Sequence, residues 1–286
     1  MVINTMLAYQ YLMENDKEAI RMDMKTDPVT IEKQAMWAGI RPNMRIADIG
    51  CGPGKTTYYL SRLIIPNGKA VGIDNSEERI DYAKKHYSGD NISFICRDIT
   101  KPLIDLGPFD FIWVRFVLEY YKTVSFDIIK NLSSILKPGG IICLIDLDLN
   151  CMNHYALPES LEKSLIGVLK RLEAKRDFDP FAGRKLYSYL YDLNYSHITM
   201  DISAHHLIFG KLQEKDEFNW IAKVMVAGKN SGYNFYKDFK NGFNGFYDSF
   251  RQFFADPRRF TYTPVIACCG RKPMLHHLGN PHVGDF

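Results

Sequence analysis

The chain has 286 residues, enough for one large domain or a domain with an added cap. Its apolar content of 46% and charged content of 24% are ordinary for a soluble globular protein. A net charge of +3 is too small to argue for nucleic acid or an anionic membrane as partner. Six cysteines are scattered, with no Cys-x-x-Cys pair. Cys51, Cys96 and Cys143 fall in or beside apolar runs, and Cys268 and Cys269 should point to opposite faces of a strand. This usage fits a reducing, cytoplasmic compartment. The start, Met1 to Met13, lacks the basic region of a signal peptide, and no apolar run reaches membrane-spanning length.

In chain order, residues 1–44 come first. Asp27-Pro28 is an N-cap followed by proline at the first helical position, so a helix should run from Pro28 to about Trp37. Gly39 and Pro42 end it. The preceding segment, with Tyr9, Tyr11, Glu14 and Arg21, reads either as a surface helix or as a lid.

Arg45-Ile46-Ala47-Asp48-Ile49 is the end of a buried parallel strand, followed by Gly50-Cys51-Gly52-Pro53-Gly54 and a helix from Thr56 to Leu63. Strand, glycine loop and helix form a nucleotide-binding crossover. The spacing excludes two common ligand classes. A dinucleotide fingerprint needs a glycine at the place of Lys55, and a P-loop needs one at the place of Ile49. The remaining pattern, acidic-apolar-Gly-x-Gly-x-Gly, resembles the first motif of the class I S-adenosylmethionine-dependent methyltransferases. The resemblance implies a Rossmann-like, doubly wound α/β fold. Its sheet would have seven strands, mostly parallel with strand seven antiparallel, and here helical cap additions. It also implies S-adenosyl-L-methionine as cofactor and S-adenosyl-L-homocysteine as product. Asp48, Ile49, Gly50, Cys51, Gly52, Pro53 and Gly54 would line the cofactor. Tyr11 would be an N-terminal aromatic covering it.

Ala70 to Asp74 is a second buried strand ending in an acid, twenty residues beyond Gly54. By resemblance Asp74, with Asn75 beside it, accepts hydrogen bonds from the ribose hydroxyls. Ser76 caps a helix to about Tyr87. Ile92 to Cys96 is strand three, and Arg97, Asp98 and Ile99 follow; the resemblance sets Asp98 and Ile99 at the adenine. Phe111 to Arg115 is strand four, with Arg115 facing the crevice at the strand ends. A helix from about Ser125 to Leu136 ends at Lys137-Pro138-Gly139-Gly140, a turn into strand five, Ile141 to Ile145. Asp146 and Asp148 share a strand face, and with Glu119 they are the candidate polar or catalytic groups. No nearby cluster completes a coordination set, so no metal is expected.

Residues 151–194 carry two helices, from Pro158 and from about Ala182. Tyr195 to Phe209 alternates as strand six, which would put His205 and His206 on opposite sides, unable to ligate one metal. Asp216 caps a further helix. An aromatic stripe from Tyr236 to Phe254 reads as core more readily than as substrate wall. Thr261 to Gly270 is the last strand. The expected organisation is a helical lid (1–44), a cofactor core (45–150), cap helices with strand six (151–210), a helical insertion with strand seven (211–270) and a tail (271–286).

Methyl transfer is a direct displacement, so the protein supplies position and environment, and needs a base only if the acceptor must lose a proton. The expected function is methylation of a small-molecule acceptor by a cytoplasmic monomer or homodimer without membrane attachment. The alternatives are a nucleic-acid or protein methyltransferase and a non-catalytic cofactor-binding module. Arg115-Phe116-Val117-Leu118 stands where base-modifying enzymes of this kind often carry an Asn/Asp-Pro-Pro-aromatic motif.

Overall fold

A computed structural model of the chain describes residues 19, 22–23, 26–150 and 152–274. The sequence called for an open sheet with helices on both faces, and that is the architecture. The strands are β1 (Arg45–Ile49), β2 (Lys69–Asp74), β3 (Ile92–Cys96), β4 (Phe109–Arg115), β5 (Leu136–Leu147), β6 (His154–Tyr155), β7 (Ser196–Phe209) and β8 (Phe260–Arg271). Their order is β3-β2-β1-β4-β5-β8, with β7 and β6 both paired to β8. Strands β1 to β5 run parallel, and β8 is antiparallel between β5 and β7. The seven expected strands are present. The two-residue β6 is an eighth, continuing the β5 side of β8 after the chain breaks away at Asp148.

Side-chain alternation splits the sheet residues between two cores. Ala47, Ile49, Ile112, Val114, Ile142 and Leu144 face one layer, which contains α4 (Ser125–Ser134) and α6 (Leu186–Asp192). Ile46, Phe111, Trp113, Ile141, Cys143 and Ile145 face the other, with α1 (Pro28–Ala38) and α2 (Lys55–Arg62). Cys268 and Cys269 fall in opposite cores, as strand periodicity requires. The described cysteines are free thiols. Helix α1 forms where expected: the Asp27 carboxylate accepts from Val29 N and Thr30 N, Pro28 opens it, and Gly39 closes it at φ 90°.

The cap is a third core, made by α5 (Glu159–Arg176), α7 (Glu214–Ser231) and α8 (Gly242–Ala255). The aromatic stripe lies in it: Phe246, Phe250 and Phe254 are almost fully buried against Trp220 and the leucines of α5.

Three local expectations are corrected. The Lys137-Pro138-Gly139-Gly140 segment is an irregularity inside β5: Leu136 pairs with Phe109, and pairing resumes at Ile141 with Phe111. Helix α7 begins at Glu214 after Gln213, two residues before the expected Asp216 cap. His205 and His206 do not point apart. The β7–β8 register shifts between Ala204 and His206, and the two imidazoles lie 4.2 Å apart, centroid to centroid. The bulge breaks the alternation on which the expectation rested. Among the described residues, no group of three or more His, Cys, Asp and Glu is placed to hold a metal ion. No helix of the described residues is long and apolar enough to cross a membrane.

Candidate cofactor site and acceptor cavity

The glycine loop sits at the carboxyl ends of β1, β2 and β4, where open α/β sheets bind ligands. Gly50 has φ +69°, and a Cβ there would meet Val117 Cγ2 at 2.4 Å, so only glycine fits. Gly54 starts α2 at φ +92°, and a Cβ would strike Ala83 and Phe94, closing the helix onto its neighbours. Met22 lies over the loop from the N-terminal side and, with Gly50, lines both cavities of the crevice. Tyr11 lies outside the described residues.

One cavity is lined by Gly50, Asp74, Asn75, Arg79, Ile99 and Val117, among others. Asp74 is buried at its rim. Its Oδ1 accepts from Ser76 N, Arg79 Nε and Arg79 Nη2, while Oδ2 accepts from Gly52 N at 2.9 Å. Oδ2 is therefore the oxygen with acceptor capacity to spare. Ile99 forms part of the wall. Arg97 and Asp98 are exposed: Arg97 pairs with Asp105 at 3.1 Å, and Asp98 accepts from Thr100 N and Oγ1.

The second cavity is lined by Asp48, Cys51, Pro53, Arg115, Glu119 and His205, among others. Ile49 and Gly52 are not in its lining: Ile49 is packed in the sheet core, and Gly52 N donates to Asp74. Asp48 is 2% exposed and accepts a 2.6 Å hydrogen bond from the Thr57 hydroxyl. Burial, and less strongly the charge of Asp74, push its carboxyl up to about 7 against the lowering by Thr57. The Arg115 guanidinium lies over the Phe116 ring at 4.1 Å, and burial depresses it to about 10. Its Nε is buried without a hydrogen-bond partner among the described residues.

The three acids named as catalytic candidates have separate tasks. Asp146 is fully buried and accepts from Leu118 N, Glu119 N and Leu147 N, which ties the 3-10 turn Leu118–Tyr120 to β5. Burial and then the Glu119 charge raise its carboxyl far above the usual range. Asp148 lies past the end of β5 and holds Arg184 through two bonds, 2.8 and 3.0 Å. The shared strand face is lost because β5 stops at Leu147 and Leu149 turns at φ 50°. Glu119 lines the crevice and accepts from Asn150 Nδ2 at 2.7 Å; Asn150 Oδ1 in turn accepts from Lys223 Nζ at 3.1 Å.

Lys223 and Tyr120 also line a third cavity, inside the cap. Its walls include Leu165, Leu169, Leu172, Val224 and Phe246, around about 590 Å³ with the mouth included. Sequence reasoning missed Met22, Arg79, Tyr120, His205 and Lys223. Each comes from a different element and carries no local motif.

The comparisons agree with this layout. Residues 40–191, over half of the chain, match the family model described as a methyltransferase domain. The chain belongs to the class I S-adenosylmethionine-dependent methyltransferases. An uncharacterised methyltransferase of Schizosaccharomyces pombe is 24% identical over 196 residues, 65% of this chain and 68% of that protein. Demethylmenaquinone methyltransferase of Staphylococcus aureus is 27% identical over 133 residues, 43% of this chain. The chain spans just over half, 55%, of that enzyme's length. Phosphoethanolamine N-methyltransferase 2 of Haemonchus contortus, solved with S-adenosyl-L-methionine, shares the fold at TM-score 0.55 and 14% identity. That likeness covers 91% of this chain and 58% of the other. The [4+2]-cyclase SpnF also shares the fold, at TM-score 0.53 and 14% identity over 86% of this chain and 82% of its own.

The residues of this methyltransferase fit its cofactor. The amino-acid end of S-adenosylmethionine is a zwitterion. Arg115, whose buried Nε has no hydrogen-bond partner among the described residues, suits the carboxylate, and Asp48, whose carboxyl is pushed up by burial, suits the ammonium.

Proposed function

We propose that this methyltransferase acts on a small-molecule acceptor held in the cap cavity, with its reacting end toward the glycine loop. The observation that carries this is the shared mouth. Tyr120 and Lys223 line both the cofactor crevice and the cap cavity, so the two spaces adjoin. The cavity has the mostly apolar lining of a small-molecule pocket. Because a cyclase shares the fold, fold alone does not name the reaction, and the site has to.

In this reading Asp74 Oδ2 and Asn75 take the ribose, Ile99 packs against the adenine, and Asp48 with Arg115 holds the amino-acid end. S-adenosylmethionine, when bound, supplies an electrophilic methyl group and a neutral thioether leaving group. The chain aligns acceptor and methyl. Such alignment lowers a barrier by up to ~7–11 kcal/mol for well-oriented reactants. Met22 covers the glycine loop, and the Asp146-anchored turn sets Glu119 and Tyr120 at the mouth.

Calorimetry with S-adenosylhomocysteine tests the cofactor site. Turnover of methyl-labelled S-adenosylmethionine in a metabolite extract, read by mass spectrometry, tests the acceptor. Labelled small-molecule product is the expected result. Label found only in protein or nucleic acid overturns it.

A further inference from the structure

The cap cavity is apolar except at one place. Among its described lining residues Lys223 is the sole charged side chain. It does not sit at the bottom, where a charge would serve no ligand end near the cofactor. It stands at the mouth, on the wall common to the cavity and the glycine-loop crevice. An acceptor with its body in the cavity therefore presents to Lys223 the end that faces the methyl.

The ammonium is held but not neutralised. Its Nζ donates to Asn150 Oδ1 at 3.1 Å, and among the described residues it has no carboxylate within 4.0 Å. Asn150 stands between it and Glu119, accepting from the lysine and donating to the carboxylate at 2.7 Å. The amide thus keeps the two charges from collapsing into a direct pair. An ammonium has three donors, so two remain after the bond to Asn150. The face of Trp220 lies 5.4 Å away and supports the cation without offering it an anion.

We propose that Lys223 selects acceptors bearing an acidic hydroxyl, a phenol or enol, on an apolar body, and binds them as the oxyanion. This rests on the cap cavity being the acceptor site. An anion entering an apolar cavity needs a counter-charge there, and Lys223 supplies it. A cationic amine meets the like charge of Lys223, while the Glu119 carboxylate at the same mouth already accepts from the Asn150 amide. The hydroxyl proton is released to water at the open crevice. The oxygen lone pair then forms the bond to the methyl carbon as the carbon–sulfur bond breaks, its pair going to sulfur. An ether and S-adenosylhomocysteine result, and no co-reactant is needed.

The test uses three naphthalene probes with the full chain and no cofactor: 1-naphthol, 1-methoxynaphthalene and 1-naphthylmethylamine. Naphtholate absorbance reports ionisation of the bound naphthol. Wild type should lower the apparent pKa of bound 1-naphthol by about one unit, which is a tenfold preference for naphtholate over the neutral naphthol, and should bind 1-naphthol more tightly than the methoxy probe at a pH above that of naphthol ionisation. The amine should bind most weakly. Lys223→Met, which keeps the apolar stem, should erase the naphthol preference and the pKa change; Lys223→Arg should keep most of both. Equal binding of naphthol and methoxynaphthalene by wild type overturns the proposal, as does no naphthol binding, or an unchanged preference in Lys223→Met. Calorimetry with S-adenosylhomocysteine on the same samples separates the failures. Normal cofactor binding with no naphthol preference sinks the acceptor class alone. No cofactor binding by wild type sinks the proposed function itself.

Discussion

Arg79 Nη2 lies 2.9 Å from Asp74 Oδ1, and both side chains are almost wholly buried at the end of β2. The acid that the resemblance assigns to the ribose thus arrives with its own counter-ion. Arg79 is placed for this by the first turn of α3 (Glu77–His86), capped by Ser76. The pair fixes Asp74 in a buried place, with Oδ1 taken by Arg79 and Ser76 and Oδ2 accepting from Gly52 N with capacity for one more donor.

Asp74→Ala should therefore have two separable effects. Loss of the ribose acceptor should cost about 1.5–3 kcal/mol of affinity, equally for S-adenosylmethionine and S-adenosylhomocysteine. Taking the Asp74 carboxylate from buried Arg79, which keeps its bond to Asn75 Oδ1, should cost about 3–5 kcal/mol of stability. The double variant Asp74→Ala/Arg79→Met should recover most of the stability and none of the affinity. Calorimetry and denaturant titration of the two variants check this; affinity restored by the second change would move the ribose elsewhere.

Asp48 makes the protein without cofactor sensitive to pH. Burial raises the folded carboxyl to about 7, while the unfolded chain ionises near 4. The folded state keeps a proton that the unfolded state has released, so the Asp48 contribution is complete below pH 4 and lost as pH rises through 7. Over that window the loss is on the order of 4 kcal/mol. Asp48→Asn should remove this slope. Relative to wild type, the variant should be about 2–3 kcal/mol more stable at pH 7.5 than at pH 5. Parallel stability curves for the two proteins would contradict the assignment.

Asp146 should behave as an anchor. Asp146→Ala removes the acceptor for three backbone N–H groups, each at no more than 3.3 Å, and should lower stability by about 3–5 kcal/mol. Asp146→Asn keeps an acceptor oxygen and should lose less. If Asp146→Ala melts like wild type while turnover collapses, the residue acts in the chemistry.

The aromatic stripe divides by position. Phe243 packs on Phe235, Phe246 and Tyr247 and is absent from the cavity wall, whereas Phe246 forms part of it. Phe243→Ala should lower the melting temperature and leave the acceptor KM per folded molecule unchanged. Phe246→Ala should do both damages, with a stability loss of about 3–5 kcal/mol and a raised KM. A raised KM in Phe243→Ala at unchanged melting temperature would put the acceptor on the other side of α8.

Local chemistry made part of this protein legible from its sequence. The five parallel strands are built on apolar runs, the first closed by Gly50 and the second by Asp74, and the glycine loop carries its spacing within a few residues. Caps such as Asp27 and Ser76 bond to their own helices, so their partners are three residues away at most. The alternation that divides Cys268 from Cys269 follows from backbone geometry alone.

Contacts between distant segments decided the rest. A bulge set by pairing with β8 turned His205 beside His206 and into the crevice wall. Asp146 and Asp148 parted because β5 ends between them, and each met a partner from another part of the chain: the turn at Leu118 for one, Arg184 for the other. Lys223 shows the limit most plainly. In the sequence it is one lysine on an amphipathic helix; its meaning comes from Asn150, seventy-three residues earlier, and from the cavity that three packed helices enclose. Periodicity and capping act within a few residues and are written locally. A charge acquires its role from the dielectric and the partners around it, and those exist only once the helices have packed.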